Sequence, residues 1–132
     1  MEMKDKISLS KVRMEYAKNS LLSAETLIKI KMYKDAANRS YYAIFHAMRS
    51  ILALDGIDMK KHKGVISEFR RLYIKTGIFS NDVSKTITNL FDVRIDSDYK
   101  DFYVISKKEV EEQVLNAKKF IEIAEKYLST KY

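Results

Sequence analysis

Residues 38–50 read NRSYYAIFHAMRS, and within them Arg39, Tyr42, His46 and Arg49 recur at steps of three, four and three. On a helix turning about 100° per residue, Arg39 and His46 differ by about 20° around the axis and stand about 10 Å apart along it. Tyr42 lies between them. Such a row presents a guanidinium, a phenol and an imidazole to one ligand, whether a phosphate, a base or an acidic partner. The groups suit phosphodiester chemistry without a metal, because arginine offers a planar fork to phosphate oxygens and histidine exchanges protons near neutral pH. Together they can activate a ribose 2′-hydroxyl and stabilise charge on the phosphorane. The plainer alternative is a polar helix face that is merely solvated, with the Tyr42 ring covering a neighbouring helix.

A helix must carry this stripe, and the same segment supplies the opposite face. Ala37, Ser40, Tyr41, Ile44, Ala47, Met48, Ile51 and Leu52 fall together on one broad side, which predicts a core-facing surface. With no proline and only three glycines, the chain has few interruptions, and its apolar spacing is helical almost throughout. A first helix is expected from about Ser10 to Met32, on Ala17, Leu21, Ala24 and Ile28. A second begins near Lys34 or Asp35 and ends before Gly56. A third spans roughly His62 to Thr76, stopped by Gly77, and Ser80 with Asp82 suits the start of a shorter fourth. Ser106 and Glu109 form an S-x-x-E capping box before the last helix, whose Val110, Val114, Ala117, Ile121, Ala124 and Leu128 make a bundle seam. Between the fourth and fifth helices, RIDSDYKDFYVI (94–105) reads as the one long connection, its Asp96 and Asp98 suited to a turn. The expected architecture is all-α, an antiparallel up-and-down bundle of four to five helices forming one domain over residues 1–132.

Composition narrows the function classes. Hydrophobic residues make up 46% and charged residues 33% of the 132, and no apolar run approaches the length that crosses a bilayer. The opening residues, MEMKDKISLSK, resemble neither a signal nor a transit peptide, so the expected compartment is the cytoplasm. Cysteine is absent, which excludes a disulfide framework, a thiolate metal site and a cysteine nucleophile. His46 and His62 are the only histidines, and neither a metal nor a cofactor is expected. The net charge of +7 is uneven: residues 1–75 hold 16 Lys/Arg against 8 Asp/Glu, and residues 76–132 hold 9 against 10. The first half therefore offers a polyanion the better surface. His62 and Lys63 belong to KKHKG at the start of the third helix, where lysines and helix amides favour an anion.

The run A-x-R-S-Y-Y-A-x-F-H-A-x-R at residues 37–49 resembles the signature of the HEPN domain, in the prokaryotic branch often encoded beside a minimal nucleotidyltransferase. HKGVISEF (62–69) is similar to the family's H-K-G-x-I-x-x-F stretch, and R-x-x-x-D-Y from Arg94 to Tyr99 to its R-x-x-A-D-Y stretch. The resemblance implies a helical bundle that dimerises, often as the HEPN half of a toxin–antitoxin pair, with RNA or a nucleotide as ligand. Many such proteins are metal-independent ribonucleases with an R-x4-6-H motif. Here Arg39 and His46 satisfy R-x6-H, whereas Arg94 is followed by Tyr99 where related branches carry R-x4-H. The catalytic candidates are thus Arg39, His46, Arg94 and Tyr99, with Tyr42, Arg49, His62, Lys63 and Asp98 as binding candidates. In a related branch the nucleotidyltransferase adds a nucleotide to a tyrosine near the motif, which implies Tyr99 as first acceptor and Tyr103 as second.

Three readings follow. The first is an RNA-binding module with metal-independent endoribonuclease activity, working as a homodimer beside its nucleotidyltransferase. The second is a non-catalytic partner that binds nucleotide or complexes the nucleotidyltransferase. The third is a helical homodimer with a buried polar stripe, which would require Arg39 and His46 to be capped by carboxylates of the same chain.

Overall fold

The computed structural model describes residues 2–132 and is helical, with α1 at Met3–Lys29, α2 at Tyr33–Leu54, α3 at His62–Phe69, α4 at Asn81–Tyr99 and α5 at Lys107–Ser129. Cross-helix contacts fix the directions. Ser50 Oγ of α2 donates to the Ser10 carbonyl of α1 (2.6 Å), Asn38 of α2 reaches Asp98 of α4, and Lys18 of α1 pairs with Glu125 of α5. Each pairing is antiparallel, so α1, α2, α4 and α5 form the expected up-and-down bundle, with α3 set into the connection between α2 and α4. Among the described residues no helix is long and apolar enough to cross a membrane.

The α5 seam behaves as its spacing predicts: Val110, Val114, Ala117, Ile121, Ala124 and Leu128 are all buried. Its start is half of a capping box. The Glu109 N–H donates to Ser106 Oγ (3.0 Å), while the Glu109 carboxylate accepts from the Tyr103 hydroxyl (3.1 Å) rather than returning to the cap. Gly56 and Gly77 take positive φ, 73° and 79°, where a side chain would be strained, and they end the second helix and the third segment as expected.

Several boundaries differ from the sequence reading. α1 spans Met3–Lys29 rather than Ser10 to Met32, and Ser10 lies inside it as a buried seam residue bonded to Ser50. The third segment stops being α-helical at Phe69 and continues as a π-helical turn, Arg70–Ile74. Ser80 occupies the cap position of α4 but its side chain makes no capping bond. The largest correction concerns residues 94–105. α4 runs to Tyr99, so the supposed long connection shrinks to residues 100–106. Asp96 and Asp98 do not support a turn; each pairs along the helix, Asp98 with Arg94 (2.9 Å) and Asp96 with Lys100 (3.0 Å), in the i,i+4 spacing that stabilises a helix.

α2 is the central helix, packed against α1, α3, α4 and α5. Its buried set includes the predicted core face and adds Ala36, Ala43, Phe45, Ser50 and Ala53. Consequently its second face is not a solvated one: Arg39, Tyr42, His46 and Arg49 are all half-buried. Small residues accompany this depth, with Ala36, Ala43, Ala47 and Ser50 all buried.

Candidate nucleic-acid interface

The cluster begins with Tyr41, whose ring is fully buried against Phe45, Phe91 and His62. Burial pushes its phenol well above the ordinary tyrosine value, so it stays protonated. Its hydroxyl lies 2.8 Å from His62 Nδ1 and has no other acceptor, so it donates there and leaves His62 as the Nε2–H tautomer. The His62 ring stacks on Phe45 at 4.3 Å between centroids. Burial, then the Arg94 charge, lowers the His62 pKa, so α3 contributes a neutral imidazole.

Tyr42 stands at the centre. Arg94 of α4 donates from Nη2 to the Tyr42 hydroxyl (3.2 Å), and the Arg39 guanidinium lies 4.7 Å from the Tyr42 ring centroid. Arg94 is also within 6 Å of the Tyr41, Tyr42 and Tyr99 rings, a cation enclosed by aromatic faces. Asp98 is its counter-ion, Oδ2 lying 2.9 Å from Arg94 Nε at an angle too bent for a hydrogen bond, and the same oxygen accepts from Asn38 Nδ2 (3.0 Å). Asn38 Oδ1 in turn accepts both Nε (2.9 Å) and Nη2 (2.7 Å) of Arg39. Asn38 therefore ties the two arginines into one network. Sequence reading missed it, although its position beside Arg39 at the end of the same helix face was visible.

His46 borders the cluster, its ring centroid 6.1 Å from Tyr42 and 5.8 Å from Tyr16 of α1. Its Nδ1 is buried without a hydrogen-bond partner among the described residues. Burial first, then the charges of Arg49, Arg39, His62 and Arg13, holds its pKa down at about 4, so the ring is neutral at physiological pH. Neither Arg39 nor His46 is capped by a carboxylate, which removes the condition that the purely structural reading required. Among the described residues no three His, Asp or Glu side chains converge as a metal-ligand set.

The structure thus brings Arg39, Tyr42, His46, His62, Arg94 and Asp98 together from α2, α3 and α4, with Tyr99 beside Arg94 and exposed over 70% of its surface. Three candidates lie apart. Arg49 turns away to Asp58, Lys63 lines a separate cavity of about 410 Å³ with Arg70, Thr88 and Asp92, and Tyr103 is half-buried and bonded to Glu109. Burial and then Glu109 raise the Tyr103 phenol to about 12.

A family model described as the HEPN domain matches residues 10–127. A "UPF0332 protein" of Thermotoga maritima is 30% identical over 112 residues, covering 85% of each chain. Two proteins of Methanocaldococcus jannaschii are also similar. "Putative toxin MJ0605" is 32% identical over 114 residues, covering 86% of this chain and 84% of its own, and "Putative toxin MJ0142" is 31% identical over 131 residues, covering 99% and 88%.

Proposed function

The chain belongs to the HEPN domain family, and from that premise we propose that it is the RNA-binding HEPN half of a toxin–antitoxin pair with a minimal nucleotidyltransferase. The observation that carries this reading is the meeting of Arg94 with Tyr42 and Arg39, because it joins the α2 stripe to the α4 motif in one cationic, aromatic surface. Guanidinium groups supply phosphate recognition, and tyrosine rings supply faces on which unpaired bases stack. The toxin names of two relatives agree with such a module. In a homodimer, two copies of this surface would face one another across a shared cleft.

Ribonuclease chemistry assigns His46 as the acceptor of the ribose 2′-hydroxyl proton and Arg39 with Arg94 to the charge on the phosphorane; the 2′-oxygen bonds to phosphorus, the P–O5′ bond breaks, and the leaving 5′-oxygen takes a proton from water. An imidazole held at about 4 is neutral, as an acceptor must be, but weakly basic; an RNA phosphate nearby would raise it toward the useful range. Incubation with tRNA and mRNA in EDTA tests this. Cleavage by the wild type, lost in both His46→Ala and Arg94→Ala, is expected; no cleavage by the wild type, or cleavage by both variants equal to that of the wild type, defeats the enzymatic part.

A second reading, a non-catalytic partner of the nucleotidyltransferase, draws on Tyr99. Its exposed phenol beside Arg94 is the acceptor expected for nucleotide addition, and the added phosphate would compete with RNA for the same cations. Co-purification with a neighbouring nucleotidyltransferase, and loss of labelling in Tyr99→Phe but not in Tyr103→Phe, would favour this reading.

A further inference from the structure

At the far end of the α2 stripe lies a second arginine cluster. Arg13 is buried in the α1 seam with its side chain only 6% exposed, and Arg13 Nη2 and Arg49 Nη2 both donate to a single oxygen, Asp58 Oδ1, at 2.5 and 3.1 Å. Arg13 Nη1 also donates to the Arg49 carbonyl (3.2 Å). Two guanidinium groups thus share one carboxylate, and the Asp58 side chain is 61% exposed. Among the described residues Arg49 Nε is buried with no hydrogen-bond partner, and so is His46 Nδ1 one turn earlier on the same helix.

The chain holds Asp58 lightly. Ile57 is pinned, its N–H bonded to the Leu52 carbonyl (3.1 Å) after the turn at Gly56, but residues 58–61 are all exposed before α3 begins. Without Asp58 in place, Arg13 would keep a buried charge with no counter-ion, a state that strongly favours a replacement anion. A planar carboxylate using one oxygen leaves the Arg49 Nε–H unmatched. A tetrahedral phosphoryl group has an oxygen for Arg13, another for Arg49 Nη2 and a third for Nε.

We propose that Arg13 and Arg49 form a phosphoryl-binding site that the Asp58 carboxylate occupies in the resting chain. Ligand binding then requires Asp58 to leave, and the apparent affinity is reduced by the fraction of molecules in which it has left. The site adjoins the proposed RNA surface at His46, but it is defined by its own geometry and does not depend on RNA binding or cleavage.

The test is a titration of the full chain with inorganic phosphate, following the Nε–H signals of Arg13 and Arg49 by NMR. Asp58→Asn is expected to bind phosphate about tenfold more tightly than the wild type, and Asp58→Asn combined with Arg49→Gln is expected to lose that gain. Equal affinity in wild type and Asp58→Asn, with the arginine signals unmoved, overturns the proposal. In the unmodified protein, the Asp58 carboxyl gives a second measurement that needs no variant. Its titration midpoint, held below the ordinary aspartate value by bonding to Arg13 and then by the Arg13 and Arg49 charges, should rise toward that value as phosphate saturates the site. A midpoint unaffected by phosphate counts against displacement. A dinucleoside monophosphate without terminal phosphate, titrated in parallel, separates the sources. If it also releases Asp58, the site accepts an internal phosphodiester; if only inorganic phosphate does, it takes a terminal phosphoryl group; if neither does, the site is refuted.

Discussion

At one end of the α2 stripe Arg94 is matched by Asp98 of its own helix, and at the other Arg13 and Arg49 share Asp58 of a connection. In the first cluster the counter-ion is fixed twice, by the i,i+4 geometry of α4 and by Asn38. The cation cannot be freed without disturbing two helices. In the second the counter-ion is on an exposed segment between helices, and in the proposed exchange it departs while the helices stay in place. Similar residue types therefore yield a preorganised surface at one end and an exchangeable site at the other. What separates them is the stiffness of the element carrying the carboxylate.

The largest effect is expected at the foundation of the α2–α4 cluster. Tyr41→Ala removes a fully buried ring from beneath His62 and Arg94 and should cost about 3–5 kcal/mol in denaturant unfolding. The same variant should leave the Arg13 and Arg49 Nε–H signals unchanged, since neither contacts Tyr41; a shift there would show that the two ends are mechanically coupled.

A smaller effect comes from protonation between the two ends. His46 has a folded-state pKa of about 4, below the ordinary histidine value near 6.5, so the folded chain binds fewer protons than the unfolded chain. Stability is then greatest above about pH 6.5 and falls as the pH drops from there toward 4, by at most about 3 kcal/mol. His62 is shifted in the same direction and adds to the slope. Urea midpoints across this range should show a marked loss in the wild type and a shallower one in His46→Gln.

The mildest change sharpens the first cluster without emptying it. Tyr41→Phe keeps the ring and deletes only the hydrogen bond to His62 Nδ1, for an expected loss of about 1 kcal/mol. The Nδ1–Nε2 tautomer preference of His62, read from imidazole nitrogen shifts, should relax in that variant.

Legibility followed the same division between satisfied seams and polar contacts. The α5 seam was readable because every position in its four-three alternation is apolar and buried. The end of α4 was obscured by Ser97, a hydroxyl residue in a buried register position, and by aspartates that suggest a turn. Its i,i+4 partners, Arg94 with Asp98 and Asp96 with Lys100, were nevertheless visible in the spacing. The α2 stripe was found by periodicity, but its half-burial was not, since depth depends on the small residues of both α1 and α2. Arg13 could have been noticed. It occupies a seam register with Ser10, Ala17, Ser20 and Ala24, where a charge needs a partner. Nothing local pointed to Asp58 as that partner, because the pairing spans 45 residues and depends on how the chain turns at Gly56.

If the proposed Arg39, Tyr42 and Arg94 surface meets RNA phosphate, a salt series of RNA binding reveals it. Arg39→Gln is compared with Arg71→Gln, which alters an exposed arginine already paired with Glu68 outside the cluster. The account predicts that Arg39→Gln weakens binding about tenfold and lowers the salt dependence by about one unit of slope, whereas Arg71→Gln leaves both close to wild type. Equal affinities and equal slopes for the two variants would contradict it.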